Sequence, residues 1–145
     1  MTREELTATI LDHLAEKNIS LKNLAEAGGM SPVFTTAAVM GQMALPKEAA
    51  TKIANFLDMP EALALAKIPS RGSLGMTVPT DPLIYRFYEI TQVYGTTLKA
   101  LIEDEFGDGI MSAIDFDMQV DRVPDPKGDR VKVTMNGKFL PFKKY

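Results

Sequence analysis

Hydrophobic residues in the first part of the chain recur every three or four positions, in short runs that begin at capping residues and end at glycine or proline. The first run contains Leu6, Ile10 and Leu14, and the capping-box pattern of Thr2 with Glu5 stands directly before it. This spacing places the three apolar side chains on one face of a helix. A helix is therefore predicted from the first residues onward.

The other helices of this part are predicted from the residues at their ends. The second helix is predicted to begin after a serine cap, Ser20, and the third at the serine–proline pair Ser31–Pro32. The fourth is predicted to have Pro46 as its first residue, and the fifth is a short segment, Glu61–Ala66. The second of the five helices is expected to stop at Gly28 and Gly29. Residues 1–69 are thus predicted to form a bundle of short helices.

The pattern changes in the second part of the chain. Asp81 and Pro82 are a good cap and first position for a long helix, which the "FGDG" of residues 106–109 is expected to end. Strict apolar–polar alternation then predicts a half-buried strand whose apolar members are Ile114, Phe116, Met118 and Val120. A turn at "PDPKGD" leads to a second alternating run, "RVKVTM", and Asn136–Gly137 predicts a hairpin turn after it.

Two domains of the α+β class are predicted from these patterns. The segment Pro69–Pro82 is rich in Pro, Gly and Ser and is interpreted as the connection, with domain bounds of 1–75 and 76–145. One helix with two or three strands is a poor hydrophobic core for so small a second domain. We therefore expect this domain to need a second copy of itself.

Composition excludes several classes of function. The chain has 145 residues, a net charge of −3, no cysteine and one histidine, His13. It therefore has no thiolate chemistry, and a zinc or iron site built from its own side chains is not expected. The net charge gives no general attraction to nucleic acid or anionic membranes. No run of 18 apolar residues and no secretory signal occurs, so a cytoplasmic protein without a membrane span is predicted.

A helix-turn-helix is the first candidate motif, with the second helix in the segment Ser31 to Gly41. That segment, "SPVFTTAAVMG", contains no Arg, Lys, Asn or Gln to read base edges. Residues 1–69 carry six basic and eight acidic side chains, a net of −2, so phosphate binding is not favoured either. No nucleic-acid partner is predicted.

The carboxylates of Asp115, Asp117 and Asp121 are explained by strand alternation and not by calcium binding.

The long helix carries a second candidate, Arg86 with Glu89. From Ile84 to Ala100 only these two residues and Lys99 are charged. An ion pair at an interface is one interpretation. The other is a site for a small anion, because a guanidinium with aromatic neighbours can bind two carboxylate-like oxygens at once. Ser112, beyond the glycine-rich turn, could offer a hydroxyl to the same anion.

The segment around these residues also resembles a known family. "PTDPLIYRFYEITQVYGTTLKALIEDEFGDGIMSAIDF", residues 79–116, closely resembles the signature region of cyanase, also called cyanate hydratase or cyanate lyase. Weaker similarity at "TAAVMGQMALP" and "NGKFLP" extends the resemblance over nearly the whole chain. The resemblance implies an N-terminal helical domain like a repressor domain that does not bind DNA. It also implies a small C-terminal α+β domain that forms an interlocked dimer, with five dimers in a decamer.

The resemblance also implies an activity and its residues. The catalytic arginine, glutamate and serine of the family correspond to Arg86, Glu89 and Ser112. They would meet in sites between subunits. The implied reaction is the bicarbonate-dependent decomposition of cyanate to carbamate and carbon dioxide, with bicarbonate as co-substrate and no metal or organic cofactor. Two alternatives stay open from the sequence: a non-catalytic helix-turn-helix regulator, and an oligomeric anion-binding protein on the same fold.

Overall fold

A computed structural model of the chain describes residues 1–68 and 78–144. The chain separates into two compact units, Met1–Leu74 and Gly75–Tyr145. The predicted connection Pro69–Pro82 lies largely outside the described residues, and so does the predicted domain boundary between residues 75 and 76, which stays a prediction.

The first unit is helical, and Thr2 and Ser20 cap their helices as predicted. Its elements are α1 (Arg3–Glu16), α2 (Leu21–Gly28), α3 (Pro32–Val39), α4 (Lys47–Leu57) and a 3₁₀ helix (Pro60–Lys67). Thr2 and Glu5 form a reciprocal capping box, and Ser20 caps α2 in the same way with Asn23. Pro46 differs from the prediction by one position: with ψ of 143° it is still extended, so it caps α4 and Lys47 is the first helical residue.

The core of this unit is made of aliphatic side chains from all five helices. Leu6, Ile10 and Leu14 are buried in it, which confirms the prediction for α1. A Cβ atom on Gly28 would lie 2.9 Å from the side chain of Ile53, so glycine allows α2 to approach α4 closely. The next residue has φ of 68°, the left-handed conformation that ends α2 where the glycine pair predicted.

Thr35, on α3, is fully buried and its hydroxyl has no hydrogen-bond partner. Burying an unpaired hydroxyl is unfavourable, so Thr35→Val is expected to stabilise the helical unit by about 1 kcal/mol. Hydrogen exchange of the α3 and α4 amides in the intact chain would measure the gain. Thr51→Val is the control, since the Thr51 hydroxyl donates to the Lys47 carbonyl at an exposed position. A less stable Thr35→Val variant would contradict the prediction.

The second unit contains α5 (Pro82–Phe106), β1 (Gly109–Val123) and β2 (Arg130–Pro141). Asp81 caps α5 by accepting a hydrogen bond from the Ile84 amide at 2.8 Å, and the helix ends before Gly107, as predicted. The two strands pair antiparallel. This helical unit and this helix-and-hairpin unit together confirm the α+β class.

No helix of residues 1–68 and 78–144 is long and apolar enough to cross a membrane.

The hairpin turn lies at residues 124–129, and the turn predicted at Asn136–Gly137 is wrong. In the turn, the Gly128 amide donates to the Asp125 carbonyl. Asn136 and Gly137 instead lie inside β2, paired with Asp117 and Phe116. A local Asn–Gly preference for turns is overruled here by the pairing of the whole strand. Strand β1 also begins five residues before the first predicted position, Ile114.

The second unit leaves much of its apolar surface uncovered. No residue of α5 is buried, and Leu83, Val93 and Leu101 are each at least 60% exposed. On β1, Phe116 and Met118 are partly buried, whereas Ile114 is 84% exposed. The prediction of a half-buried strand is therefore only partly confirmed in one chain. The described residues of this unit form too small a core to cover the whole apolar face of β1. That a second copy covers this surface stays a prediction.

Candidate active site

Arg86 and Glu89 lie one helical turn apart near the beginning of α5. Nη1 of Arg86 is 3.5 Å from Oε2 of Glu89, and the two side chains are 62% and 49% exposed in the single chain. The pair therefore exists but is not buried by its own chain. One contact leaves most of the five guanidinium N–H donors available, so the pair can hold its arginine in place and still bind an anion.

Two tyrosines flank the pair on the same helix. The rings of Tyr85 and Tyr88 stack with centroids 6.1 Å apart and an angle of 30° between their planes. Each tyrosine directly precedes one member of the ion pair in the sequence. The aromatic neighbours of the guanidinium therefore lie on the same helix, but a contact between guanidinium and ring stays a prediction, and the ion pair is open to solvent in one chain.

Ser112 is in a different environment. It is 6% exposed and lies in β1, beyond the glycine-rich turn. Its Oγ accepts hydrogen bonds from the amides of Ile114 at 3.1 Å and Asp115 at 2.9 Å. Both bonds use the oxygen as acceptor, so neither uses the hydroxyl proton. The two amides hold the oxygen and also make the hydroxyl a better donor to an incoming anion.

The structure brings Arg86 and Glu89 together in one chain but does not bring Ser112 to them. Met111, next to Ser112, lines a surface cavity with Ile102, close to the end of α5. Arg86 precedes Ile102 by sixteen residues of continuous helix, which is about 24 Å along the axis. Within a single chain, therefore, Arg86 and Ser112 belong to opposite ends of α5.

A second charged pair, which the sequence reasoning did not assign to the site, lies at the Ser112 end of α5. Lys99 hydrogen-bonds Glu103, four residues later, and both line a cavity with Gly109 and Met111. The hydrogen bond to Glu103 raises the pKa of Lys99 above its usual range. The four-residue spacing of opposite charges was the available signal.

Metal ligands are not concentrated anywhere in the described part of the chain. Within residues 1–68 and 78–144, no three His, Cys, Asp or Glu side chains are grouped so as to hold an ion.

The fold and these side chains define a small α+β protein with a candidate site for small anions. Comparison with known proteins makes the class specific. The family description "Cyanate hydratase, N-terminal" matches residues 3–69, and "Cyanate lyase C-terminal domain" matches residues 76–144. The chain is 56% identical to a cyanate hydratase of Ralstonia pickettii and 54% identical to one of Dechloromonas aromatica, each over the full length of both chains.

A solved structure of a cyanase has the same fold as this chain. The crystal structure of cyanase from T. urticae superposes with a TM-score of 0.82 and 34% sequence identity, covering 94% of this chain and 97% of that one. This chain therefore belongs to the cyanate hydratase family. The resemblance noted in residues 79–116 is confirmed by these comparisons.

Proposed function

We propose that this chain is a cyanate hydratase, a lyase that decomposes cyanate in a reaction that consumes bicarbonate. Membership of the cyanate hydratase family over the whole chain carries the proposal. The arginine–glutamate pair on α5 supports it chemically, because both substrates are anions and the guanidinium has unused donors. The proposed location is the cytoplasm.

The proposed reaction joins two anions. A bicarbonate oxygen attacks the carbon of cyanate and forms a dianionic adduct, which loses the bicarbonate carbon as carbon dioxide. The cyanate nitrogen has by then gained protons, and carbamate remains. Carbamate takes up another proton and breaks down to ammonia and a second carbon dioxide without help. One cyanate, one bicarbonate and two protons therefore give one ammonia and two carbon dioxide molecules.

The difficulty of this reaction is Coulomb repulsion, so the work of the site is positioning and charge compensation. Arg86 binds the anions with its fork of N–H donors and stabilises the second negative charge of the adduct. Ser112 donates its unused hydroxyl proton to an adduct oxygen. Glu89 holds the Arg86 guanidinium at 3.5 Å and is also a candidate to move the proton that the cyanate nitrogen gains. No metal or organic cofactor is required by this scheme.

The active site is proposed to combine residues of several chains. Arg86 and Ser112 of one chain lie at opposite ends of α5, while the exposed apolar side chains of that helix favour contact with further copies. A decamer of five interlocked dimers, with sites between subunits, is the proposed assembly. In such an assembly the ion pair would lose solvent and its electrostatic effect on a bound anion would increase.

The decisive measurement is ammonia release from cyanate by the purified protein, with bicarbonate supplied and then removed by sparging with gas free of carbon dioxide. We expect the rate to fall to that of a blank without protein when bicarbonate is absent. With ¹³C-cyanate and ¹⁸O-bicarbonate, one ¹⁸O atom should appear in ¹³C-labelled carbon dioxide, since the attacking oxygen stays with the cyanate carbon.

Two results would overturn the proposal in different ways. Ammonia release that does not depend on bicarbonate would indicate simple hydrolysis. No ammonia from a correctly assembled oligomer would favour the anion-binding protein. The helix-turn-helix regulator is the less supported alternative, because α3 (Pro32–Val39) contains no Arg, Lys, Asn or Gln to read bases.

A further inference from the structure

Strand β1 makes a wide bulge where it carries Ser112. Met111 pairs with Phe139 and Phe116 pairs with Gly137, so the four residues from Ser112 to Asp115 lie opposite a single residue of β2. Residues in excess of those on the facing strand must leave the line of the strand. The position of the Ser112 hydroxyl therefore depends on what holds this bulge.

Gly137 lies directly against the bulge from the opposite strand. A Cβ atom on Gly137 would overlap the carbonyl oxygen of Ser112 and would lie 2.5 Å from Cγ of Met111. The φ angle of Gly137 is not positive, so the left-handed conformation is not the reason for glycine here. The requirement is space, and the main obstacle is a backbone atom that cannot rotate away as a side chain could.

The bulge is thus held from two sides. On one side the Ile114 and Asp115 amides donate to Oγ of Ser112. On the other side the carbonyl of Ser112 rests against the bare Cα of Gly137. A side chain at position 137 would push the Ser112 carbonyl away and would therefore also move the Ser112 hydroxyl.

We propose that Gly137 is a positioning residue for the reaction, acting through Ser112. Because Gly137 has no side chain, the bulge can pack close to β2. This packing directs the Ser112 hydroxyl toward the anion site. This inference rests on the proposed role of Ser112 as a donor to the adduct. It assigns a function to the glycine of the Asn–Gly dipeptide, which the sequence pattern had suggested was a turn.

Gly137→Ala is expected to lower kcat by about ten- to a hundredfold, because a displacement of about 1 Å of a reacting group can reduce the rate that much. If Gly137 acts through Ser112, the same substitution in a Ser112→Ala background should change kcat by less than about twofold. The measurement is the kcat of ammonia release for the four proteins of this cycle, each in its full assembly.

Gly109→Ala is the matched control. A Cβ atom there would overlap the Leu140 carbonyl oxygen and lie 2.6 Å from Cζ of Phe139, so the strain within the hairpin is similar. Gly109 is paired outside the bulge, opposite Pro141. Any loss of activity in Gly109→Ala should therefore be the same with and without the Ser112 hydroxyl, since independent effects add in free energy.

Hydrogen exchange gives a second measurement that does not depend on turnover. In Gly137→Ala the amides of Ile114 and Asp115 should exchange faster, because their acceptor is displaced, while those of Val120 and Val133 keep their protection. If Gly137→Ala does not fold, the double variant Met111→Ala/Gly137→Ala is used, because it removes the clash with the Met111 side chain and keeps the clash with the Ser112 carbonyl. Its reference is the single variant Met111→Ala. Relative to that reference, the double variant is expected to show the same loss of kcat and the same faster exchange of the Ile114 and Asp115 amides.

The outcomes separate this inference from the proposed function. If Ser112→Ala turns over cyanate normally, the proposed role of the serine is wrong, and the inference that depends on it is overturned with it. If Ser112→Ala is slow but Gly137→Ala is nearly normal, only the inference is overturned. An equal loss of kcat from Gly137→Ala with and without the Ser112 hydroxyl would also overturn it, since the effect would then not act through Ser112.

Discussion

Arg86→Lys will lower kcat for cyanate decomposition by about 10²- to 10³-fold, the usual effect of removing one donor to a developing negative charge. Lysine keeps the positive charge, so the expected loss is one of geometry and not of net charge. A guanidinium presents two parallel N–H groups to neighbouring oxygens, whereas an ammonium binds as a point charge. The dianionic adduct gains more from this fork than either substrate does, so kcat should fall more than KM rises.

The control for this substitution is Arg122→Lys on the hairpin. Arg122 also forms an exposed ion pair, with Nη1 3.2 Å from Oδ2 of Asp129. It has no proposed role in the reaction, so its replacement should leave turnover within about twofold of the starting protein. Near-normal turnover by Arg86→Lys would show that the arginine acts only as a positive charge, and the proposed clamp would have to be abandoned.

Mixed oligomers of two inactive variants will recover activity if each site combines Arg86 of one chain with Ser112 of another. In assemblies formed by co-expressing Arg86→Lys with Ser112→Ala, about a quarter of the sites should receive both native residues when the chains mix at random in a symmetric oligomer. If both residues came from the same chain, no site would be complete. The position of the two residues at opposite ends of α5 is the reason for the first expectation. The same arrangement means that dissociated chains should be inactive.

Arg86→Lys mixed with Glu89→Gln is the control for this experiment. Arg86 and Glu89 of one chain are 3.5 Å apart, so they belong to the same site in any assembly. Every site in this mixture then contains one altered residue, and activity should stay at the level of the separate variants. Distinct affinity tags and native mass spectrometry would confirm that the chains have mixed. No recovery in a mixed Arg86→Lys and Ser112→Ala oligomer would contradict a shared site.

The chemistry of the candidate site was accessible from the sequence only in part. Charges in an apolar helical run pointed to Arg86 and Glu89, and the three-residue spacing correctly placed them on one face. Their exposure in the single chain was not predictable, because it depends on which surfaces the rest of the chain covers. Ser112 was suggested by its place after the glycine-rich turn and then by the resemblance to cyanase, while its burial and its two amide donors depend on a bulge that no local pattern indicates.

The sequence by itself determined where most helices begin, to within one residue. A cap joins a side chain to an amide three residues away, as at Thr2 and Asp81, so its signal is complete within one short segment. The sequence also determined the family, since the similarity extends over the whole chain.

Only the tertiary structure decided what Asn136 and Gly137 do. Their local preference is for a turn, but the pairing of β1 with β2 adds many hydrogen bonds and places both residues inside a strand. The contact of Gly137 with Ser112 joins two residues far apart in the sequence. Such a contact arises from the register of the whole hairpin, which is a collective property of two strands and is absent from any short segment of either one.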